Sequence, residues 1–351
     1  MIDIKYLAVL FLACFFMSTL GTYTLKKIFN RLQIIDVPGE RRSHSVPTPR
    51  GGGMAIVGTF LIAFLLVGLF QSFNQRIFWG LLLSSAAISA LGFLDDLYTL
   101  PRTPRILAWI GITALSILFG IHLQSLTLPI IGTIHFGILS PLVTFLWLIG
   151  VTNFFNFMDG INGLAGFEAL LVSGFLAGIA YWAGNVLVFI PSVIVFAAAL
   201  GFLPHNFPKA KIFMGDGGSN FLGYIFAGLA IIGSQDTANT IPFVVPVILL
   251  LMFLLDAAST LLKRLPKGKE WLEPHRDHLY QRLIKLGYSH AQVTLGYTAI
   301  NLFLGIMAIL YFGSGGYLSL GYLGLTVVPF LALVIFTVLR EKRYNSVVNI
   351  Q

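Results

Sequence analysis

Charge is scarce in this chain, and sulfur chemistry is almost absent. Charged residues make up only 10% of the 351 positions, against roughly 25% in soluble domains. That deficit, beside 57% apolar residues, excludes an ordinary water-soluble globule. The single cysteine, Cys14, excludes an intrachain disulfide and a cysteine-rich metal centre. The sequence has no internal repeat and no low-complexity tract. It also has no nucleic-acid-binding motif to go with its net charge of +8. The N-terminus offers one acid (Asp3), one base (Lys5) and no small-residue cleavage site, and Leu12-Ala13-Cys14 has the wrong flanks for a lipoprotein signal. A retained first span is therefore expected rather than a cleaved leader.

What the chain has in abundance is long apolar runs. A bilayer core of about 30 Å is crossed by roughly 20 helical residues. Eleven runs qualify: 5–21, 54–71, 77–94, 105–121, 138–153, 164–183, 185–203, 219–234, 241–263, 292–313 and 317–339. Asn185 and Pro191 interrupt the seventh. The expectation is an all-α polytopic transmembrane bundle of about 11 spans, forming one integral-membrane domain over 1–351. If the N-terminus lies outside the cytoplasm, 20 of the 22 Lys and Arg fall on one side, and only Lys5 and Arg76 on the other. The positive-inside rule makes the first side cytoplasmic, and this topology signal accounts for most of the net charge. The one long exported loop, 122–137, flanks Pro129 and Gly132 with short β-prone runs. It reads as a surface hairpin, with His122 and His135 as interfacial polar tips.

The unusual polar residues cluster at the cytoplasmic ends, where ten of the fourteen acids lie. Asp95 and Asp96 close the run Ile77–Leu94 at a helix C-terminus, the wrong end of the macrodipole for anions. Paired carboxylates there call for a metal or a basic partner, and Arg102 and Arg105 are the plain candidates. The loop from Asp36 to Gly53 ends in Gly51-Gly52-Gly53, which can present backbone N–H groups to an anion, and His44 and Arg50 add positive charge. A stiff linker with topogenic bases is the plainer alternative. Asn153, Asn156 and Asp159 recur at i, i+3, i+6, roughly on one helical face, and Asn162 follows. Buried amide bridging between helices would also explain them. Asp216 and Ser219 stand at a helix start behind Pro204-His205-Asn206 and Phe213; there glycines allow a metal and phosphates to approach, though a plain N-cap is the alternative for Asp216. His275-Arg276-Asp277-His278 has too few ligands for zinc and reads better as a set of phosphate donors. The segment after it looks like an amphipathic interfacial helix with Leu279, Leu283 and Leu286 on one side.

Taken in order, these five motifs resemble the polyprenyl-phosphate N-acetylhexosamine-1-phosphate transferases, the glycosyltransferase family 4 group that includes the MraY, WecA and WbpL enzymes. The resemblance spans about 36–290. Its most specific parts are Asn156-x-x-Asp159-Gly-Ile-Asn162-Gly-Leu-Ala and Ile212-Phe-Met-Gly-Asp216-x-Gly-Ser. It implies transfer of a sugar 1-phosphate from a UDP-N-acetylated amino sugar to undecaprenyl phosphate, with release of UMP and a need for Mg²⁺. Carried over, Asp95 and Asp96 handle the lipid phosphate and the metal. Asp216 binds the metal with Asn156, and Asp159 is an active-site acid. Asn206 and Phe213 lie near the uridine, and His275, Arg276 and His278 fill the histidine-motif slot. That motif departs from the triple histidine of the MraY branch, and Asn162 stands where that branch has aspartate. Both departures point away from a muramyl-pentapeptide donor and toward initiation of O-antigen-type polysaccharide. The resemblance also suggests a homodimer among membrane lipids, a bacterial inner-membrane location and a cytoplasm-facing site. A lipid-linked sugar flippase is the rival in another class. It predicts a polar path at the bilayer midplane, whereas Glu168 and Asp256, the only mid-span acids, lie near cytoplasmic ends. A non-catalytic scaffold gives no reason for ten acids on one face. The donor sugar (GlcNAc, FucNAc or QuiNAc type) is left open.

Overall fold

The computed structural model describes residues 3–37, 46–266 and 276–348. His44 and His275 lie outside the described residues. Every predicted apolar run is helical. The helices are α1 (Ile4–Arg31), α2 (Met54–Phe70), α3 (Gln75–Tyr98), α4 (Arg102–Leu118), α5 (Ser140–Phe157), α6 (Leu164–Ala183), α7 (Val186–Asn206), α8 (Asp216–Gln235), α9 (Val244–Arg264), α10 (Leu279–Lys285), α11 (His290–Gly313), α12 (Gly316–Thr326) and α13 (Val328–Val348). Two antiparallel ribbons complete the fold. One pairs β1 (Ile35–Asp36) with β2 (Thr48–Pro49); the other pairs β3 (Ser125–Leu128) with β4 (Gly132–His135), the expected hairpin.

The bundle is all-α and polytopic, with differences from the expected spans. Among the described residues nine helical segments are long and apolar enough to cross a membrane, with α12 and α13 taken as one. The remaining two runs, α2 and α4, are 17-residue helices, each about 26 Å long at 1.5 Å per residue. The last run is not one helix. It breaks at Val327 ahead of Pro329, which has no N–H to carry the ladder across. The seventh run is regular despite Asn185 and Pro191. Asn185 becomes the N-cap of α7, accepting from the Val188 N–H at 3.0 Å.

Helix α8 is the axis of the bundle and the most enclosed of the spans. It packs mainly on α3 and α5, and also touches α2, α6, α7 and α9. Small residues make that possible. A Cβ on Gly223 would lie 2.7 Å from the Thr152 Cα of α5, and one on Gly218 would lie 2.6 Å from the Gly53 Cα. Polar links pin the axis further. The Tyr224 hydroxyl meets Ser116 Oγ of α4 at 2.7 Å, and Trp147 Nε1 of α5 donates to the Ala227 carbonyl at 3.0 Å. Farther out, Asn301 of α11 donates to the fully buried Glu168 of α6.

The segment after the histidine motif does not lie on the membrane as an interfacial helix. Leu279, Tyr280 and Leu283 of α10 are buried against the bundle. The cause is Asp256 of α9, which accepts from the Leu279 N–H (2.8 Å), the Tyr280 N–H (3.4 Å) and the Tyr297 hydroxyl (2.7 Å). A buried carboxylate so supplied with donors draws the short helix inward.

Candidate active site

The predicted loops meet at one end of the bundle around a cavity of about 190 Å³. Four acids line it, three of them from the ends of the long helices and the fourth, Asp36, from β1. Asp96 comes from the last turn of α3, Asp159 from the turn after α5, and Asp216 from the first turn of α8. Arg50, Asn162, Asn206 and Phe213 also line it, as do Asp36, Gln281 and His290.

Asp96 is 4% exposed. Arg50 Nη1 stands 3.5 Å from its Oδ1, and Arg50 Nη2 donates to its main-chain carbonyl. The Gly217 N–H, at the entrance to α8, donates to Asp96 Oδ2 at 3.3 Å. Gly215 permits this approach. Its φ is +80°, and a Cβ there would lie 2.7 Å from Asp96 Oδ2. Asp216 follows at the positive end of the α8 dipole. Asn156 Nδ2 donates to Asp216 Oδ1 (3.0 Å) and to Ser219 Oγ (2.9 Å), and Ser219 donates on to the Gly215 carbonyl (3.0 Å). Asp159 opens on the cavity yet lies deep in the protein. Burial first, then the Asp216 and Asp96 carboxylates, push its carboxyl well above the usual range.

The two neighbouring aspartates of α3 part company. Asp95 turns to a second, smaller cavity shared with Asn153, Asn156, Arg105 and Asp216. It accepts from the Leu100 N–H (2.7 Å) and pairs with Arg105 Nη1 (2.7 Å). Asn153 donates to the Ile149 carbonyl of its own helix (2.7 Å) and lies outside the main cavity. Asp159 stands beyond the end of α5, so the i, i+3, i+6 face is broken at its last member.

The glycine triplet does not form an anion nest. The Gly52 and Gly53 N–H groups donate to the carbonyls of Phe213 (2.8 Å) and Met214 (2.9 Å). Together with the Phe213 N–H on the Pro49 carbonyl (2.8 Å), they zip the first loop to the segment before α8. The triplet brings Arg50 to Asp96 through backbone contact. Asn206 also serves the loops: it accepts from the Gly163 N–H (2.8 Å) and donates to the Ile212 carbonyl (2.9 Å) while its edge faces the cavity.

The histidine motif stands behind the cavity. His278 is 3% exposed, with Nδ1 3.6 Å from Asp256 Oδ1 and its ring stacked near Tyr280. Asp277 pairs with Arg264 at 2.5 Å, and the Arg276 carbonyl accepts from Lys285 (2.7 Å). Arg276 and His278 are not among the residues lining the cavity. Gln281 and His290 carry that side instead. A sequence signal existed for both. Gln281 lies three residues after His278 and accepts from its N–H (3.3 Å), and Ser289-x-x-Gln292 is a capping box that starts α11 at His290.

Mg²⁺ is commonly held by one or two carboxylates plus substrate phosphates, without a protein cage. Among the described residues no group of three or more His, Cys, Asp or Glu is placed to hold an ion. Asp216 and Asp96 on one wall, with Asn156 behind Asp216, fit that sparser pattern.

Four carboxylates and one arginine on one cavity at the end of a membrane bundle define a membrane-embedded enzyme suited to polyanionic substrates. The family model for glycosyl transferase family 4 matches residues 78–234. A Bacillus subtilis protein named "Probable undecaprenyl-phosphate N-acetylglucosaminyl 1-phosphate transferase" is 30% identical over 300 residues, covering 85% of this chain and 83% of its own length. The Mycobacterium tuberculosis decaprenyl-phosphate N-acetylglucosaminephosphotransferase is 31% identical over 334 residues, 88% of this chain and 82% of that one. The Yersinia pestis undecaprenyl-phosphate alpha-N-acetylglucosaminyl 1-phosphate transferase is 24% identical over 311 residues, 84% and 82% of the two chains. The chain belongs to glycosyl transferase family 4. It is a transferase, and the flippase alternative is set aside.

Proposed function

We propose that this protein transfers N-acetylhexosamine 1-phosphate, N-acetylglucosamine 1-phosphate in the first instance, from a UDP-sugar to undecaprenyl phosphate at the cytoplasmic face of the bacterial inner membrane. The product is the lipid-linked first sugar of a cell-envelope polysaccharide, an O-antigen-type chain being one such polymer. The observation that carries the proposal is the convergence of Asp96, Asp159 and Asp216 with Arg50 on one cavity, at the bundle end that holds most of the basic residues. The names of the relatives supply the substrate class.

In the reaction a phosphate oxygen of the lipid attacks the sugar-proximal phosphorus of the donor. The bond from that phosphorus to the bridging oxygen breaks, and UMP leaves with that oxygen. Asp216 and Asp96, with Asn156 behind Asp216, would hold Mg²⁺, which would supply charge neutralisation for the diphosphate and the leaving UMP. Arg50 holds Asp96 in place and offers a guanidinium fork to phosphate oxygens. Asp159 adds a third carboxyl facing the Asp96 and Asp216 carboxylates. Phe213 stacks on the uracil ring. Purified protein incubated with Mg²⁺, undecaprenyl phosphate and a panel of UDP-sugars should release UMP and form a lipid-linked sugar phosphate. Failure with every donor, or release of UMP without the lipid acceptor at an equal rate, would overturn the proposal.

A further inference from the structure

A second cleft lies at the same end of the bundle as the catalytic cavity and is lined by other residues. It has a volume of about 460 Å³ and opens between the turn joining α10 to α11 and the last turns of α13. Tyr288 and Gln292 line one side, and Arg340, Arg343 and Tyr344 the other. Among the described residues no aspartate or glutamate lines it. The one acid in this part of α13, Glu341, is turned to α10, where Arg282 holds it with Nε at 2.8 Å and Nη2 at 2.6 Å. Arg340 lies over the Phe336 ring, 5.3 Å from its centroid, and that ring meets the Tyr288 ring at 6.1 Å. Arg50, Arg105, Arg264 and Arg282 each pair with an acid, whereas among the described residues Arg340 and Arg343 pair with none.

Topogenic charge calls for basic residues at this end of α13. It does not call for two guanidinium groups on one side of a cleft with the intervening acid drawn away. Two arginines without a carboxylate suit a phosphate, and the apolar surface beside them indicates its source. The stretch Val328–Leu339 carries no charged residue, so Arg340 stands just beyond it, at the depth of lipid headgroups. Leu331, Ile335 and Leu339 are each more than half exposed (52%, 59% and 54%). They share one face of α13 with Arg343, at intervals of four residues. A lipid whose acyl chains lie on that stripe brings its headgroup to the arginines, and basic clefts between spans on the cytoplasmic side take anionic headgroups. We propose that the cleft between α10 and α13 binds the phosphate of an anionic phospholipid of the cytoplasmic leaflet. This goes beyond the transferase reading and does not rest on it.

Native mass spectrometry of the full-length protein in neutral detergent tests the site, with phosphatidylglycerol as the probe and phosphatidylcholine of the same acyl chains as the zwitterionic control. The parent should hold phosphatidylglycerol more tightly than phosphatidylcholine. Arg340→Gln with Arg343→Gln should weaken phosphatidylglycerol binding by about tenfold or more, the effect of losing charge-assisted contacts, and leave phosphatidylcholine binding unchanged. Lys27→Gln with Arg31→Gln removes two exposed charges from the same end of α1 and should leave phosphatidylglycerol binding as in the parent. Should the first pair of substitutions prevent folding, Arg343→Gln alone, at an exposed position, gives the same readout. Equal affinity of the parent for the two lipids would overturn the proposal, as would equal losses in the α13 and α1 variants, which mean a diffuse charge effect. Displacement of phosphatidylglycerol by glycerol phosphate or inorganic phosphate at equal concentration would overturn the lipid assignment, because the cleft would then take a free anion without help from the apolar stripe.

Discussion

Asp95 and Asp96 are adjacent in sequence but about 100° apart around α3, and that rotation separates their chemistry. Asp96 faces Asp216, Asp159 and Arg50, while Asp95 holds the Leu100 N–H and Arg105. Asp216→Asn and Asp96→Asn should each lower turnover by about a hundredfold or more, the scale of losing a group that stabilises developing charge, with insertion and folding retained. Asp95→Asn keeps an oxygen for the Leu100 N–H and loses a pair with the half-exposed Arg105, worth about 1 kcal/mol or less. Its turnover should stay within about tenfold of the parent. Equal losses at Asp95 and Asp96 in a UMP-release assay would contradict this division.

Asp159 gives a pH prediction at the same scale. Its carboxyl is held well above the usual range by burial and by two neighbouring carboxylates. The folded protein therefore binds a proton there at pH values where the unfolded chain has released it. The folded state has more protons bound between the two pKa values, so stability falls as pH rises through that window. In EDTA, the thermal midpoint of the purified protein should decline as pH rises above the ordinary carboxylate range. Asp159→Asn should flatten that decline and raise the midpoint at the upper end of the window. An unchanged slope in the variant would remove Asp159 from the cluster.

At the level of elements, glycine-permitted contact and a buried carboxylate do the positioning. The first loop is held by main-chain hydrogen bonds to residues 213 and 214, and Gly53 touches Gly218 almost backbone to backbone. Gly53→Leu should force α2 away from α8 and displace Arg50 from Asp96. Loss of folded protein on size-exclusion chromatography is expected, because a large side chain cannot be accommodated 2.6 Å from another Cα. Asp256 plays the equivalent part for α10. Asp256→Ala strands the Leu279 and Tyr280 N–H groups and the Tyr297 hydroxyl, each costing about 1–3 kcal/mol when buried without a partner. A cysteine at Leu283, buried in the parent, should become reactive to thiol reagents in that background. Continued protection would mean that α10 is held by its apolar contacts alone.

For the whole molecule, the basic asymmetry sets the orientation by the positive-inside rule. With Cys14→Ala as background, cysteines at Val46 and at Ile130, both exposed, should label from opposite sides of the membrane. An impermeant reagent should reach position 130 in intact cells and position 46 only after permeabilisation. Labelling of both positions in intact cells would reverse the assignment of the site to the cytoplasm.

Composition and the repeated apolar runs determined on their own that this is an all-α membrane bundle, because hydrophobic length is a property of the chain itself. The motif residues Asp96, Asp159, Asp216, Arg50, Asn162, Asn206 and Phe213 were legible too, since polar groups at the ends of apolar helices are costly and rarely idle. The direction in which each side chain faces was not legible. Asp95 against Asp96 is decided by the phase of α3. The use of the glycine triplet as a zipper, and not as an anion nest, is decided by carbonyls about 160 residues away. His278 turns inward because Asp256 lies buried in another helix, and His290 reaches the cavity because α11 packs on α6 and α9. Local sequence fixes which segments are helices and where they end. Only the packing of α3, α5, α8 and α11 decides which of their end residues share a cavity, because that depends on rotations and contacts between segments far apart in the chain.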